Sequence, residues 1–331
     1  MKKILLITTG GTIASEQTGE GLAPSLNGQH LAAFISGVTS DYEVKIKNLF
    51  QLDSSNIQPE EWQCMARAAA REYINYDGIV LTHGTDTMAY TASVLSFMLR
   101  NIPIPVVITG SQLPIGHPLT DGIENLRCAF AMAASGKAGV FVAFNRRVML
   151  GTRAVKVRTT AFDAFESVNC PCAATVDAGG LELNESVLPR REGAFALEDR
   201  LCNRVFLIKL TPGLDPEIFD MLLKMNYKGI VIEAFGAGGL NFVRRNLISK
   251  LQKMVDSGIS VVVCSQCLYE RSDFTIYQAG KKALETGVLQ AFDMTTEAAV
   301  TKLMWALGKT ERPEEIKRIF STNYVGEISL T

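Results

Sequence analysis

The stretch LTHGTDTMAY at residues 81–90 sets a His, three Thr, an Asp and a Gly between an apolar run and a helical one. A second concentration of hydroxyls, ITTGGTIAS at residues 7–15, follows the first apolar run of the chain. Either loop offers a Thr that becomes a nucleophile once a neighbour takes its proton. In the loop at 7–15, which comes first along the chain, Gly10 and Gly11 let backbone N–H groups approach a ligand closely, and Thr12 presents a hydroxyl just after them. The polar segment beyond, with Gly19, Gly21 and Pro24, is long for a strand-to-helix connection and reads as a mobile lid. A phosphate cradle competes with that reading. No Lys follows the glycines as a Walker A loop requires, and in GAGGLN at 236–241 Asn241 stands where the last Gly of a dinucleotide motif belongs.

In the second loop, Gly84, Thr85, Asp86 and Thr87 precede a helix whose N-terminal amides favour an anion. Thr85 or Asp86 equally suits a helix cap, and His83 reads as a hydrogen-bonded packing residue. A third piece, GTRAVKVRTTAFDAFES at 151–167, flanks Lys156 with valines that would partly desolvate its ammonium; an ordinary solvated strand Lys is the plainer reading. In LDSSNIQPEEW, Asp53, Ser54 and Ser55 read as a cap ahead of a helix opening at Pro59. Cys264 and Cys267 have CxxC spacing, but no second such pair completes a zinc site, and Cys170 and Cys172 read as small residues in a turn.

The elements that must hold these loops are legible as short Val/Ile/Leu runs ending in Gly, Thr, Ser or Asn: KILLITTGG, DGIVLTHGT, IPVVITGSQ, GVFVAFNRR, RVFLIKLTPG, KGIVIEAFGAGG and ISVVVCSQC. Near-continuous apolar content marks strands buried on both faces. Helical stripes lie between them. One carries Trp62, Met65, Ala66, Ala69, Tyr73 and Tyr76; another Ile218, Met221, Leu222 and Met225; a third Ala299, Leu303, Met304 and Leu307. Each is read as a core face. Alternating strands and helices give an α/β fold with a parallel sheet, and place function in loops beyond the strand carboxyl ends. The mixed-polarity segment 184–203 reads as connecting chain, so the predicted organisation is a larger N-terminal domain at 1–186, a linker at 187–203 and a smaller α/β domain at 204–331.

With 331 residues the chain exceeds one ordinary core. Its 33 basic and 34 acidic residues show no run of like charge, which points away from nucleic acid and anionic membranes and toward a small-molecule partner. The apolar run after Lys2 and Lys3 breaks at Thr8, too short for a signal peptide. Seven scattered cysteines read as reduced thiols, so a cytoplasmic location is expected.

Taken together, TTGGTIAS, HGTDTMAYTAS, TGSQLP, DSSN and TRAVKVRTTAFDAFES resemble the segments of the bacterial-type L-asparaginases, amidohydrolases with paired threonines, and most closely their cytoplasmic type I branch. The resemblance runs from residue 3 to near the C-terminus. It implies a doubly wound, mostly parallel sheet in the N-terminal domain, a smaller α/β C-terminal domain, and hydrolysis of L-asparagine to L-aspartate and ammonia without metal or cofactor, in homodimers paired into homotetramers. The family nucleophile maps to Thr12 and the second catalytic hydroxyl to Thr85, supported by Lys156 and Asp86. Asp86 also maps to the holder of the substrate amino group. Ser54, with Asp53 and Ser55 beside it, maps to the grip on the α-carboxylate, while Gly84 lines the site and amides around Gly11 and Thr85 are candidates for the oxyanion hole. Leu22 stands where many members have a lid Tyr that helps activate the first Thr.

Lys156 can take a proton only if neutral: desolvation favours that form, the charge of Asp86 opposes it, and both outcomes stay open. A glutamine-preferring amidohydrolase, one acting on an amide carried by a larger partner, and a non-catalytic amino-acid sensor are alternatives; the length of the chain argues against a fused tRNA-dependent module. Type I relatives can be activated by their substrate at a second site, and Glu233 stands where an enterobacterial member has Arg, which implies little activation here.

Overall fold

The computed structural model describes residues 1–19, 21–24 and 28–329, with backbone alone for 16–18, 21–24 and 28–32. The chain divides into two compact units, Met1–Asp199 and Arg200–Thr331.

The first unit contains strands β1 (Lys2–Gly10), β2 (Ser15–Thr18), β3 (Gly21–Pro24), β4 (Tyr42–Leu52), β5 (Gly78–Thr82), β6 (Pro105–Thr109), β7 (Gly139–Phe144), β8 (Arg147–Leu150), β9 (Ala154–Lys156), β10 (Phe165–Ser167), β11 (Ala174–Asp177) and β12 (Gly180–Leu183). Its helices are α1 (Gly28–Thr39), α2 (Pro59–Glu72), α3 (Met88–Met98) and α4 (Gly122–Ala134). The main sheet runs β12-β11-β8-β7-β6-β5-β1-β4, parallel from β4 to β7 and antiparallel beyond β7. Every residue of β5 and β6 is buried, which is why these strands read as unbroken apolar runs.

The order of the parallel strands decides where a site can form. From β1 the chain passes to β4 on one side and then crosses back to β5 on the other. The direction of winding therefore reverses between β1 and β5, and helices on opposite faces leave a crevice beyond their carboxyl ends. The loops holding Thr12 and Thr85 follow those two strands. The segment read as a lid forms the β2–β3 hairpin, Gln17 pairing with Leu22; residues 20 and 25–27 and the Leu22 side chain lie outside the described residues.

The second unit is a four-stranded parallel sheet in sequential order, β13 (Val205–Lys209), β14 (Gly229–Ala234), β15 (Ser260–Ser265) and β16 (Leu289–Gln290). Helices α5 (Glu217–Lys224), α6 (Leu247–Asp256), α7 (Gln278–Glu285), α8 (Thr296–Lys309) and α9 (Pro313–Phe320) complete it. Side-chain caps start two of them, Asn246 on the Ile248 N–H and Thr295 on the Ala298 N–H.

Two helical readings need correction. The stripe from Trp62 holds through Ala69, but α2 ends at Glu72 and a 3₁₀ turn at Tyr73–Asn75 carries Tyr76 out of the helix. In α5 the expected stripe holds at Leu222 and in part at Ile218 but fails at both methionines. Phe219 and Leu222 are the buried pair, whereas Met221 and Met225 are 51% and 53% exposed. The i, i+3 pair with the larger aromatic enters the core, and the methionines turn outward. Of the connecting segment, Glu192 exchanges two 3.0 Å hydrogen bonds with Asn101, Phe195 packs edge-on against Tyr73, and Asp199 pairs with Arg67 at 2.5 Å, all within the first unit.

Candidate active site

Three loops converge at the strand reversal because glycines let their backbones touch. The backbone turns out of β1 through Gly10 and Gly11, at φ +102° and +79°, conformations that only glycine adopts without strain. The Gly11 N–H donates to the Leu52 carbonyl at 2.9 Å, tying this loop to the end of β4. A Cβ on Gly84 would fall 2.6 Å from Ser54 Oγ and 3.2 Å from the Gly11 Cα. Thr12 opens a short 3₁₀ turn, Thr12–Ala14, directly after Gly11 and is half-buried.

Ser54 is buried and joins its own turn to the loop after β5: its Oγ accepts the Asp86 N–H at 3.3 Å, and its carbonyl accepts the Thr87 hydroxyl at 2.7 Å. Asp53 and Ser55 are exposed. Asp53 accepts the Ser55 N–H at 2.8 Å, so it caps the Ser54–Asn56 turn and not α2. That helix opens at Pro59 behind Gln58, whose N–H donates to the Glu61 carboxylate at 2.9 Å.

Thr85 and Asp86 do not cap α3, whose N-cap position is Thr87. Their side chains face Lys156, which reaches them from β9 across 71 and 70 residues of sequence. Its ammonium donates to Thr85 Oγ1 at 2.8 Å and to Asp86 Oδ1 at 2.6 Å. The Lys156 side chain is 16% exposed while that of Asp86 is 66% exposed, so the pair lies at a rim with the hydroxyl on its inner side. The solvated strand Lys is therefore excluded by contact. The Thr85 hydroxyl in turn donates to Gln112 Oε1 at 3.3 Å.

Gln112 is the contact that reasoning from single residues missed, although it lies in the TGSQLP segment. It follows β6, the next strand along the sheet. Its Nε2 donates to the Thr159 and Ala161 carbonyls at 2.9 and 3.1 Å, which ties the chain beyond Lys156 to Thr85. The Asp121 carboxylate accepts the Gln112 and Leu113 N–H groups at 3.0 and 3.1 Å and fixes that turn. His83 is fully buried; desolvation pushes its imidazole down to about 4, against the opposing pull of its bond to the Gly84 carbonyl.

In the second unit, Glu233 lies one residue before the end of β14 and accepts the Thr296 hydroxyl at 2.7 Å. Buried Cys264 and exposed Cys267 are both free thiols, and burial pushes the former up to about 12. Among the described residues no cluster of three or more His, Cys, Asp or Glu side chains could hold a metal ion, and no helix is long and apolar enough to cross a membrane.

The arrangement offers a hydroxyl on a glycine turn, a second hydroxyl held by an ammonium–carboxylate pair, and backbone donors between them. Comparison with known proteins gives matches of the same kind. Residues 3–188 match the asparaginase N-terminal family and residues 204–320 the glutaminase/asparaginase C-terminal domain. A Thermococcus kodakarensis L-asparaginase is 44% identical over 99% of both chains. A glutamyl-tRNA(Gln) amidotransferase chain from Pyrococcus furiosus is 38% identical over 98% of this chain and 76% of its own length. The solved structure of the thermostable L-asparaginase from T. kodakarensis superposes with a TM-score of 0.94 at 43% identity, covering 99% of this chain and all of that one.

Proposed function

Since the chain belongs to the asparaginase family, whose two domains together match most of its length, we propose that it hydrolyses the side-chain amide of L-asparagine to aspartate and ammonia. The observation that carries the reading is the Lys156–Thr85 hydrogen bond with Asp86 on the same ammonium. Thr12 attacks the amide carbon; its proton goes to the nitrogen as the C–N bond breaks and ammonia leaves, and water then cleaves the Thr12 ester to release aspartate and restore the hydroxyl. Thr85 is the second hydroxyl. Lys156, paired with Asp86, donates to the Thr85 oxygen, so that the hydroxyl proton points outward to Gln112 or to substrate. The Gly11 N–H is committed to the Leu52 carbonyl, so the N–H groups of Thr12 and Thr85 are the oxyanion donors; losing one such donor typically costs about 2.7–4 kcal/mol.

Asp86, largely solvated, receives the α-amino group, and Ser54 with neighbouring amides receives the α-carboxylate. Asp53 and Ser55 shape that turn from outside. Assembly into dimers or tetramers and a cytoplasmic location accompany the reading by resemblance, and sedimentation of the purified protein tests the first. The match to an amidotransferase chain favours a second reading in which the amide belongs to glutamine. Ammonia release from L-asparagine and from L-glutamine by the unsubstituted protein, Thr12→Ala and Thr85→Ala decides between them. Activity on asparagine lost in both folded variants supports the proposal; a kcat/KM higher on glutamine transfers it to the second reading, and no release from either amide overturns both.

A further inference from the structure

Behind the second threonine loop lies a run of three side chains that the scheme above leaves unused. Trp62 on α2 donates its indole N–H to the Thr91 hydroxyl at 2.9 Å; Thr91 on α3 meets His83 Nε2 at 2.9 Å; His83 Nδ1 reaches the Gly84 carbonyl at 2.7 Å. His83 and Thr91 are wholly buried and Trp62 is 8% exposed. The two ends of the run fix its protons. An indole N–H only donates and a carbonyl only accepts. The Thr91 oxygen therefore accepts from Trp62 and gives its own proton to His83 Nε2, and Nδ1 carries the hydrogen that goes to Gly84. This is the neutral Nδ1–H tautomer, the charge state that a buried ring favours.

The carbonyl so held belongs to the peptide joining Gly84 to Thr85. In a trans peptide the C=O and N–H point in opposite directions, and the chain has no cis bond among its described residues. A hydrogen bond from behind on this carbonyl therefore aims the Thr85 N–H away from the buried ring. Among the described residues no acceptor takes that N–H. The need for such a fixture comes from Gly84 itself. Ser54 and Gly11 leave no room for a Cβ there, and glycine leaves the adjoining peptide free to rotate. A donor that stabilises developing charge must be in place before the reaction begins.

We infer that His83, held by Thr91 and Trp62, is a positioning residue for the hydrolysis, fixing the plane of the Gly84–Thr85 peptide and with it the aim of the Thr85 N–H at the substrate amide oxygen. The inference rests on the hydrolase reading above.

Ammonia release is measured for the unsubstituted protein, His83→Leu, His83→Asn and Thr91→Val, at a temperature where each is folded by circular dichroism. An Asn amide nitrogen can occupy the place of Nδ1 and donate to Gly84. Relative to the unsubstituted protein, kcat falls about tenfold to a hundredfold in His83→Leu, with KM within about twofold, a smaller loss than removing a donor outright. His83→Asn recovers most of it, and Thr91→Val, which keeps the shape but breaks the run at its middle, falls between. A second readout needs no substrate: in the ¹⁵N spectrum of the chain's three histidines, His83 shows the neutral Nδ1–H pattern across the neutral pH range. An undiminished kcat in folded Thr91→Val and His83→Leu, an Asn variant no better than Leu, or an Nε2–H signal overturns the positioning role alone. No ammonia from the unsubstituted protein overturns the hydrolase reading, and this role with it.

Discussion

Gly11 and Gly84 meet backbone to backbone: a Cβ built on Gly11 would lie 2.3 Å from the Gly84 nitrogen and 2.5 Å from its Cα. The two loops are thus set at a spacing that only paired glycines permit. In Gly11→Ala a methyl must displace backbone, since no flexible side-chain end is there to give way, and φ +79° adds strain. The expected result is a folded protein destabilised by about 1–3 kcal/mol, with activity reduced at least about a hundredfold. Thermal unfolding and ammonia release on the same sample check it. Full activity in a folded Gly11→Ala would mean that the loop spacing is not critical.

Lys156 offers a sharper test of chemistry. Its ammonium touches both Thr85 and Asp86, so Lys156→Met removes the holder of the hydroxyl and leaves Asp86 unpaired. A fall in kcat of about 10²–10⁴ is expected. Lys156→Arg keeps charge but presents a planar fork where a compact ammonium fits between two oxygens, and should recover little. The pH profile separates orientation from proton abstraction. A Lys156 that only orients Thr85 leaves kcat/KM flat above neutral pH; a climb that disappears in Lys156→Arg would make it a base.

Much of this site is legible in the sequence, for specific reasons. Strands β1, β5 and β6 are buried on both faces, so their composition betrays them, and the loops after β1 and β5 follow directly. By contrast β4 alternates exposure along its eleven residues at the sheet edge, and its pattern is diluted by lysines. The short antiparallel strands β8, β11 and β12 carry too few residues to show a period. For the site, composition alone allows Thr85 as a cap and Lys156 as a solvated strand residue. Their 2.8 Å contact spans 71 residues, a separation that only resemblance to a family bridges. Gln112 and the Trp62–Thr91–His83 run escape because each is defined by a partner on another element, and nothing in the local sequence names it.

His83 also makes stability depend on pH. Its folded-state value of about 4 lies below that of an exposed imidazole, near 6.5, so the unfolded chain binds the proton more readily. Stability is complete above about pH 6.5 and declines as pH falls toward 4, by up to roughly 3 kcal/mol from this residue. Urea unfolding from pH 7 to 4, on the unsubstituted protein and on His83→Asn, measures the difference. The decline should be shallower in the variant; parallel curves would assign the acid sensitivity to the carboxylates.

The second unit holds an ion pair of a different kind. Lys302 on α8 and Glu327 near the C-terminus are both wholly buried, 2.7 Å apart, and the ammonium also donates to the Thr322 carbonyl at 2.8 Å. Burial pushes Lys302 down from its ordinary value while Glu327 pulls it up, and burial is the larger effect. Glu327 further accepts the Tyr324 and Val325 N–H groups, so it folds the terminal turn around itself. Lys302→Met strands a carboxylate in the core and should destabilise by about 3–5 kcal/mol in urea unfolding. Adding Glu327→Gln to it removes the stranded charge and keeps an oxygen for the two amides. The double variant should therefore be more stable than Lys302→Met alone. Losses that simply add would show that the two side chains are not energetically coupled, and that the turn is held by its backbone contacts.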